Sequence, residues 1–156
     1  MDNIKQIEKE VLEIGAKAKE SSLKVSLLST KLKNQVLLDA AENIRKNKDA
    51  IIKENSKDIQ KHKSTLSAAL LDRLLLDSQR IDSICNGLKD ISKLEDPIGK
   101  VLGKWSRPNG LKIEKVSIPL GVIGVIYESR PNVAADAAAL CLKSGNTLIL
   151  RGGKES

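Results

Sequence analysis

The sequence predicts an α/β fold in which a layer of helices is followed by a β-hairpin and then by a strand–helix–strand unit. Three observations carry that expectation. Apolar residues recur at three- and four-residue spacing through residues 1–99. An Asn109-Gly110 pair lies between two strand-like runs. From Pro119 to Ser156 the chain reads apolar run, polar break, alanine-rich segment, polar stop and second apolar run. That last pattern is one βαβ unit. It sets the carboxyl ends of two parallel strands side by side, and open α/β sheets bind ligands in the crevice outside such ends.

Taken in order, Ile4, Ile7, Val11, Ile14 and Ala18 predict a first helix over about Asn3–Glu20 with one apolar face. Ser29-Thr30 can cap a second helix carrying Leu32, Val36, Ala40 and Ile44. A third is expected over about Asp49–Lys61, with Ile51, Ile52 and Ile59 apolar. Leu70, Leu71, Leu74 and Leu75 predict a short helical turn after the Lys63-Ser64-Thr65 break. Ile81, Ile84, Leu88 and Ile91 mark a further helix that stops before Pro97-Ile98-Gly99. Each helix is expected to bury one stripe.

From Lys100 the period changes. Val101–Trp105 and Leu111–Val116 flank Pro108-Asn109-Gly110, and Lys112 and Glu114 alternating with Ile113 imply a hairpin over 100–118 with one wet and one dry face. Gly121–Tyr127 is apolar without alternation, which suits a strand covered on both faces. Pro131-Asn132 starts a helix with body Ala134–Leu142, Lys143-Ser144-Gly145-Asn146 stops it, and Thr147–Leu150 is a second buried strand.

Composition narrows the function classes. Charged residues make up 30% and hydrophobic residues 40%, while aromatics are 1% with no Phe, so the core must be built from Leu, Ile, Val and Ala. The longest apolar run, Ile118–Tyr127, falls well short of a membrane span, and the amino terminus leads into an amphipathic pattern rather than a signal sequence. A cytoplasmic chain with no membrane partner is expected. The net charge is +7, but lysines alternate with acids, as in Lys9-Glu10 and Lys57-Asp58, and no arginine cluster or aromatic platform accompanies them. The excess suits an anionic small molecule better than nucleic acid. Cys85 and Cys141 sit inside helical patterns without a CxxC pair and read as structural thiols. His62, between Lys61 and Lys63, reads as a solvated loop residue, and no metal site is expected.

Two motifs remain. Gly121-Val122-Ile123-Gly124 is not GxGxxG, and Gly152-Gly153-Lys154-Glu155-Ser156 lacks the hydroxyl directly after the lysine that a Walker A loop needs. The Arg151–Lys154 turn is either an anion-binding turn, with glycines admitting a close approach and Arg151 or Lys154 neutralising charge, or a plain surface turn. Glu128-Ser129-Arg130-Pro131-Asn132, at the end of a strand and leading into a helix, concentrates hydrogen-bond donors where an α/β site lies.

The run from Val116 through Tyr127-Glu128-Ser129-Arg130-Pro131-Asn132, then Asp136–Asn146 and Leu150-Arg151-Gly152-Gly153-Lys154-Glu155, resembles the gamma-glutamyl phosphate reductases, also called glutamate-5-semialdehyde dehydrogenases, a branch of the aldehyde dehydrogenase superfamily. The helices and the hairpin fit as well. The resemblance thus covers the whole chain but only the first part of the family's length. It implies an aldehyde-dehydrogenase-like architecture in which residues 1–156 form part of an incomplete Rossmann-like NADP-binding domain, with 1–99 helical, 100–118 the hairpin and 119–156 the βαβ unit.

The activity it implies is reduction of L-glutamate 5-phosphate with NADPH to L-glutamate 5-semialdehyde and phosphate, in proline biosynthesis. In that chemistry a cysteine thiolate attacks the acyl phosphate, phosphate leaves, and hydride reduces the resulting thioester. By resemblance, Arg130 or Asn132 lies near the oxyanion or the substrate phosphate. Arg151, Gly152, Gly153 and Lys154 form the turn that faces the adenosine ribose, where a cation suits a 2′-phosphate. The family's nucleophilic cysteine has no match in Cys85 or Cys141, so the expected catalytic set within this chain is empty. A truncated or split family member, inactive alone, is therefore expected; a non-catalytic fragment that associates with another polypeptide or a homo-oligomer through the hairpin is the alternative.

Overall fold

The computed structural model describes residues 2–154, so Glu155 and Ser156 of the glycine-lysine motif lie outside the described residues. In chain order the elements are α1 (Asp2–Val25), α2 (Thr30–Lys46), α3 (Lys48–His62), α4 (Ala68–Leu74), α5 (Ser78–Lys93), β1 (Val101–Ser106), β2 (Lys112–Val116), β3 (Val122–Ile126), α6 (Asn132–Lys143) and β4 (Thr147–Arg151). The strands form two separate sheets, an antiparallel β1–β2 hairpin and a parallel β3–β4 pair. An α/β chain with one βαβ unit is therefore what the residues build.

Local chemistry explains the helix starts. Ser29, Ser67 and Asp77 each turn an extended residue into a cap whose side chain accepts from a backbone N–H three residues on, Leu32, Leu70 and Arg80 respectively. At the other end of α6, Gly145 takes φ +69°, the Asn146 N–H donates to Cys141 O at 2.8 Å and the Gly145 N–H donates to Leu142 O at 3.0 Å. This is a Schellman stop. Asn146 then ties the stop to the sheet, because its Oδ1 accepts the Gly121 N–H at 2.8 Å.

The core lies where α2, α5 and α6 meet, and Leu37, Ala41, Ile81, Cys85, Leu88 and Ala139 fill it. Below it the same three helices are locked by two buried lysines. The Lys33 Nζ sits 2.5 Å from Asp96 Oδ2 and donates to Lys143 O at 3.2 Å, while the Lys143 Nζ donates to Asn34 Oδ1 at 2.6 Å and to Ser92 O at 2.9 Å. Each ammonium thus neutralises the carbonyl end of another helix: Lys33 that of α6, and Lys143 that of α5. Alternating Lys and acid residues had suggested only solvated lysines; these two are buried because distant elements converge on them.

Several expectations about burial are corrected. α1 runs on to Val25, past Glu20, and its stripe is not buried: Ile4 is 72% exposed, and Ile7, Val11 and Ile14 are also exposed. The helix is held further along, where Ser22 is buried and the Ala18 carbonyl accepts from Thr147 Oγ1 at 3.0 Å. In α3 the buried residue is Asn55, not an isoleucine, because its amide donates to Leu74 O and its carbonyl accepts the Leu76 N–H. Leu75 caps α4 rather than extending it, and His62 is the last residue of α3 rather than a loop residue.

The hairpin has no dry face. Ile113 and Gly103 are half-buried and the other residues of its two strands are exposed, since no described element covers it. Its loop is not a two-residue turn: only Gly110 has positive φ, the Leu111 N–H caps Asn109 Oδ1, and the Arg107 N–H bonds Leu111 O at 2.9 Å. Pro108-Asn109-Gly110 therefore forms the three-residue loop that ends in a left-handed glycine. Nor are β3 and β4 covered on both faces, because two strands lack the flanking neighbours that would bury Ile126, 86% exposed, and Leu150, also exposed.

Candidate functional site

The parallel register pairs Val122 with Thr147 and ends at Ile126 opposite Arg151. The Tyr127 N–H continues the ladder to Arg151 O at 3.1 Å. The two turns singled out in the sequence, Tyr127–Asn132 and Arg151–Lys154, consequently leave the same edge of the sheet. This is the crevice geometry that a βαβ unit creates.

Ser129, buried in the first of these turns, adopts φ +45°, a left-handed conformation uncommon for a residue with a side chain. The turn it makes brings Arg130, Pro131 and Asn132 to the amino end of α6 and onto one wall of a cleft of about 510 Å³. The other wall comes from the helical layer, chiefly Asp72 and Arg73 of α4 and Arg80 of α5. A second cleft, of about 430 Å³, lies beyond Pro131 and is bordered by Tyr127 and Asn55. Both expected substrate residues thus share one cavity.

Their chemistry differs. The Asn132 amide donates to Asp136 Oδ2 at 3.0 Å, which occupies it locally, whereas the Arg130 side chain is exposed and makes no ion pair or hydrogen bond among the described residues. Sequence reasoning missed Asp72, Arg73 and Arg80. The available signal was an Asp-Arg pair, Asp72-Arg73, set inside the otherwise apolar Leu70–Leu75 turn.

The Arg151–Lys154 turn does not line that cleft. Arg151 and Lys154 are exposed, Gly152 and Gly153 are half-buried, and the Arg151 guanidinium donates to the Gly152 carbonyl. Lys154 carries the cation of the turn that is not engaged among the described residues. Cys85 and Cys141 are both free thiols buried in helices, and burial pushes the Cys141 thiol up from its ordinary value. Cys141 is therefore not a poised thiolate. Among the described residues no group of three or more His, Cys, Asp or Glu side chains could hold a metal ion, and no helix is long and apolar enough to cross a membrane.

No family model matches the chain. Curated relatives do: it is 52% identical to the gamma-glutamyl phosphate reductase of Clostridium novyi over 151 residues, covering 96% of this chain, and 53% identical to that of Carboxydothermus hydrogenoformans over 148 residues, covering 94%. The family that this chain matches is gamma-glutamyl phosphate reductase. Solved structures agree. A crystal structure of gamma-glutamyl phosphate reductase from Thermotoga maritima matches 94% of the chain with TM-score 0.90 at 38% identity, and one from Saccharomyces cerevisiae matches 92% with TM-score 0.88 at 37% identity. The chain spans about 36% of the length of these gamma-glutamyl phosphate reductases, sequences and structures alike.

Proposed function

We propose that residues 1–156 supply the substrate- and cofactor-facing edge of an enzyme that reduces L-glutamate 5-phosphate with NADPH to L-glutamate 5-semialdehyde and phosphate, a step of proline biosynthesis. The parallel β3–β4 pairing carries this reading, because it sets a cationic glycine turn and a donor-rich turn side by side at one sheet edge. Such an edge belongs to a Rossmann-like cofactor domain of which these residues are a part.

Arg130, uncommitted and at the amino end of α6, is the better placed of the two expected residues to receive the acyl phosphate. Its guanidinium offers a phosphate paired hydrogen bonds, and the amino end of α6 favours the same negative charge. Asn132, tied to Asp136, shapes the entrance instead. The residues of the second turn fit a dinucleotide phosphate: glycines without Cβ admit close approach, Arg151 braces the loop through the Gly152 carbonyl, and Lys154 adds an exposed ammonium for a 2′-phosphate. When bound, the nicotinamide supplies the hydride.

The thiol is supplied from outside residues 1–156, since both cysteines here are buried in helices. Exposed apolar positions on the hairpin, Val101, Leu102 and Trp105 among them, suit cover by another polypeptide surface. The test runs the reaction in reverse, with L-glutamate 5-semialdehyde, phosphate and NADP, following NADPH. The chain alone is expected to be silent, and a chimera that joins it to the remaining length of the Clostridium novyi relative is expected to turn over. A folded chimera without turnover would refute the reading, and turnover by the chain alone would refute the assignment of the nucleophile.

A further inference from the structure

The geometry points to Arg73 as a specificity residue that holds the carboxylate of the substrate, at the far end of the molecule from the acyl phosphate held by Arg130. The inference rests on the proposed reduction of L-glutamate 5-phosphate and adds a second anchor to it. It starts from the state of the three guanidinium groups that line the 510 Å³ cleft. Arg80 is committed. It pairs with Asp72 Oδ1 at 2.7 Å and donates to the carbonyls of Asp72 and Leu75, 3.0 Å for the latter, so it closes the carboxyl end of α4 and neutralises the nearest acid.

Arg73 and Arg130 are not committed. Neither guanidinium makes an ion pair or hydrogen bond among the described residues, although Arg73 is next to Asp72 in sequence. They come from different walls, Arg73 from α4 in the helical layer and Arg130 from the turn between β3 and α6. A planar guanidinium fork recognises a carboxylate or a phosphate through paired hydrogen bonds. Two uncommitted forks on two walls fit a short ligand with an anion at each end. The orientation follows from the sheet: Arg130 lies at the edge shared with the Arg151–Lys154 turn, so the reacting end faces Arg130 and the unreactive carboxylate faces Arg73.

The test uses the chain itself and a stable bis-anion, 6-phosphonohexanoate, which keeps the number of atoms between carboxylate and phosphorus in glutamate 5-phosphate. Hexylphosphonate and hexanoate each present one of the two ends. Binding is read from amide shifts of the cleft residues on titration. The wild-type chain is expected to prefer the bis-anion over either single anion. Arg73→Gln should weaken 6-phosphonohexanoate on the order of tenfold and leave hexylphosphonate unchanged, whereas Arg130→Gln should weaken both phosphonates.

Unfolding separates recognition from support. Arg73→Gln should leave the midpoint unchanged because the side chain is exposed and unpaired, while Arg80→Gln should lower it. A wild-type chain that does not discriminate the bis-anion from hexylphosphonate, or an Arg73→Gln variant that loses both phosphonates equally or neither, overturns the assignment. In the active chimera, an unchanged KM for Arg73→Gln overturns it while the proposed reaction stands. Arg73-dependent binding of the bis-anion with a silent chimera leaves the assignment and removes the reaction.

Discussion

Asp96 is the residue on which the interlock of helices depends, because it is the carboxylate that faces the buried Lys33 ammonium. Its burial favours the neutral acid, but hydrogen bonds from Lys33, Thr30 and the Ile98 N–H, together with the Lys33 charge, outweigh that and hold its pKa below the usual value. A carboxyl depressed in the folded state stabilises the fold above its unfolded pKa of about 4, and that contribution is lost as pH falls through the lower folded value. Asp96→Asn should therefore destabilise the chain at neutral pH by about 3 to 5 kcal/mol, the cost of leaving a buried cation unpaired. The gap to wild type should narrow below about pH 4, as read from unfolding midpoints across pH. Lys143 has the opposite history: burial depresses its pKa, with the Lys33 charge adding to the effect and Asp96 opposing it, so its charged form burdens the fold until pH rises towards the unfolded value of about 10.4. At the cofactor turn, Lys154→Ala in the chimera should weaken NADP(H) on the order of tenfold and NAD(H) little, since a charge-assisted contact to phosphate contributes about 1.5 to 3 kcal/mol. Equal losses for both cofactors in a titration would assign Lys154 to the shared adenosine half.

Among the elements, α6 is the one whose end is least tolerant of change. A Cβ at Gly145 would lie 2.9 Å from Pro119 Cγ, and the φ of +69° is strained for any residue with a side chain. Gly145→Ala should cost about 2 to 4 kcal/mol, from the left-handed penalty and the crowding together. Gly15, in the interior of α1, is the contrasting case, since nothing lies within 4 Å of a Cβ placed there. Gly15→Ala should stabilise α1 by about 0.5 to 1 kcal/mol. Thermal unfolding of the two variants checks both signs in one experiment. The hairpin behaves differently again, because its register is set by the Gly110 loop and by the irregularity between Val101 and Gly103, not by a buried face.

For the molecule as a whole, the net charge of +7 is spread over helix faces that also carry acids, and eight of the ten ion pairs among the described residues lie within or between helices of the first hundred positions or beside them on exposed surface. Such pairs contribute little to stability, on the order of 0 to 1 kcal/mol each, and they mix cations with acids along the helix faces. Affinity for a random duplex should accordingly be weak at physiological salt, with a shallow dependence on salt concentration. A fluorescence titration that found submicromolar duplex binding would contradict this. The unburied α1 stripe and hairpin are the other molecular-scale feature. They are apolar surfaces that no described element covers.

What the sequence by itself determined was local. Helix starts at Ser29 and Asn132, the Gly145 stop, the Asn109-Gly110 hairpin and the βαβ order were legible because caps, turns and periodicity act over a few neighbouring residues. The placement of Arg130 and Asn132 just beyond β3 was legible for the same reason, as a polar break at the end of a strand. The tertiary structure decided the rest. Lys33 and Lys143 resemble any other lysines in the sequence, and only the convergence of α2, α5, α6 and Asp96 takes them out of water. Three arginines of one chemistry became one brace and two forks uncommitted among the described residues, because the Arg80 guanidinium reaches Asp72 Oδ1 and the Leu75 carbonyl while those of Arg73 and Arg130 reach no such partner. Whether a periodic stripe is buried also depends on a partner surface, and the periodicity of α1 carries no information about whether one is there.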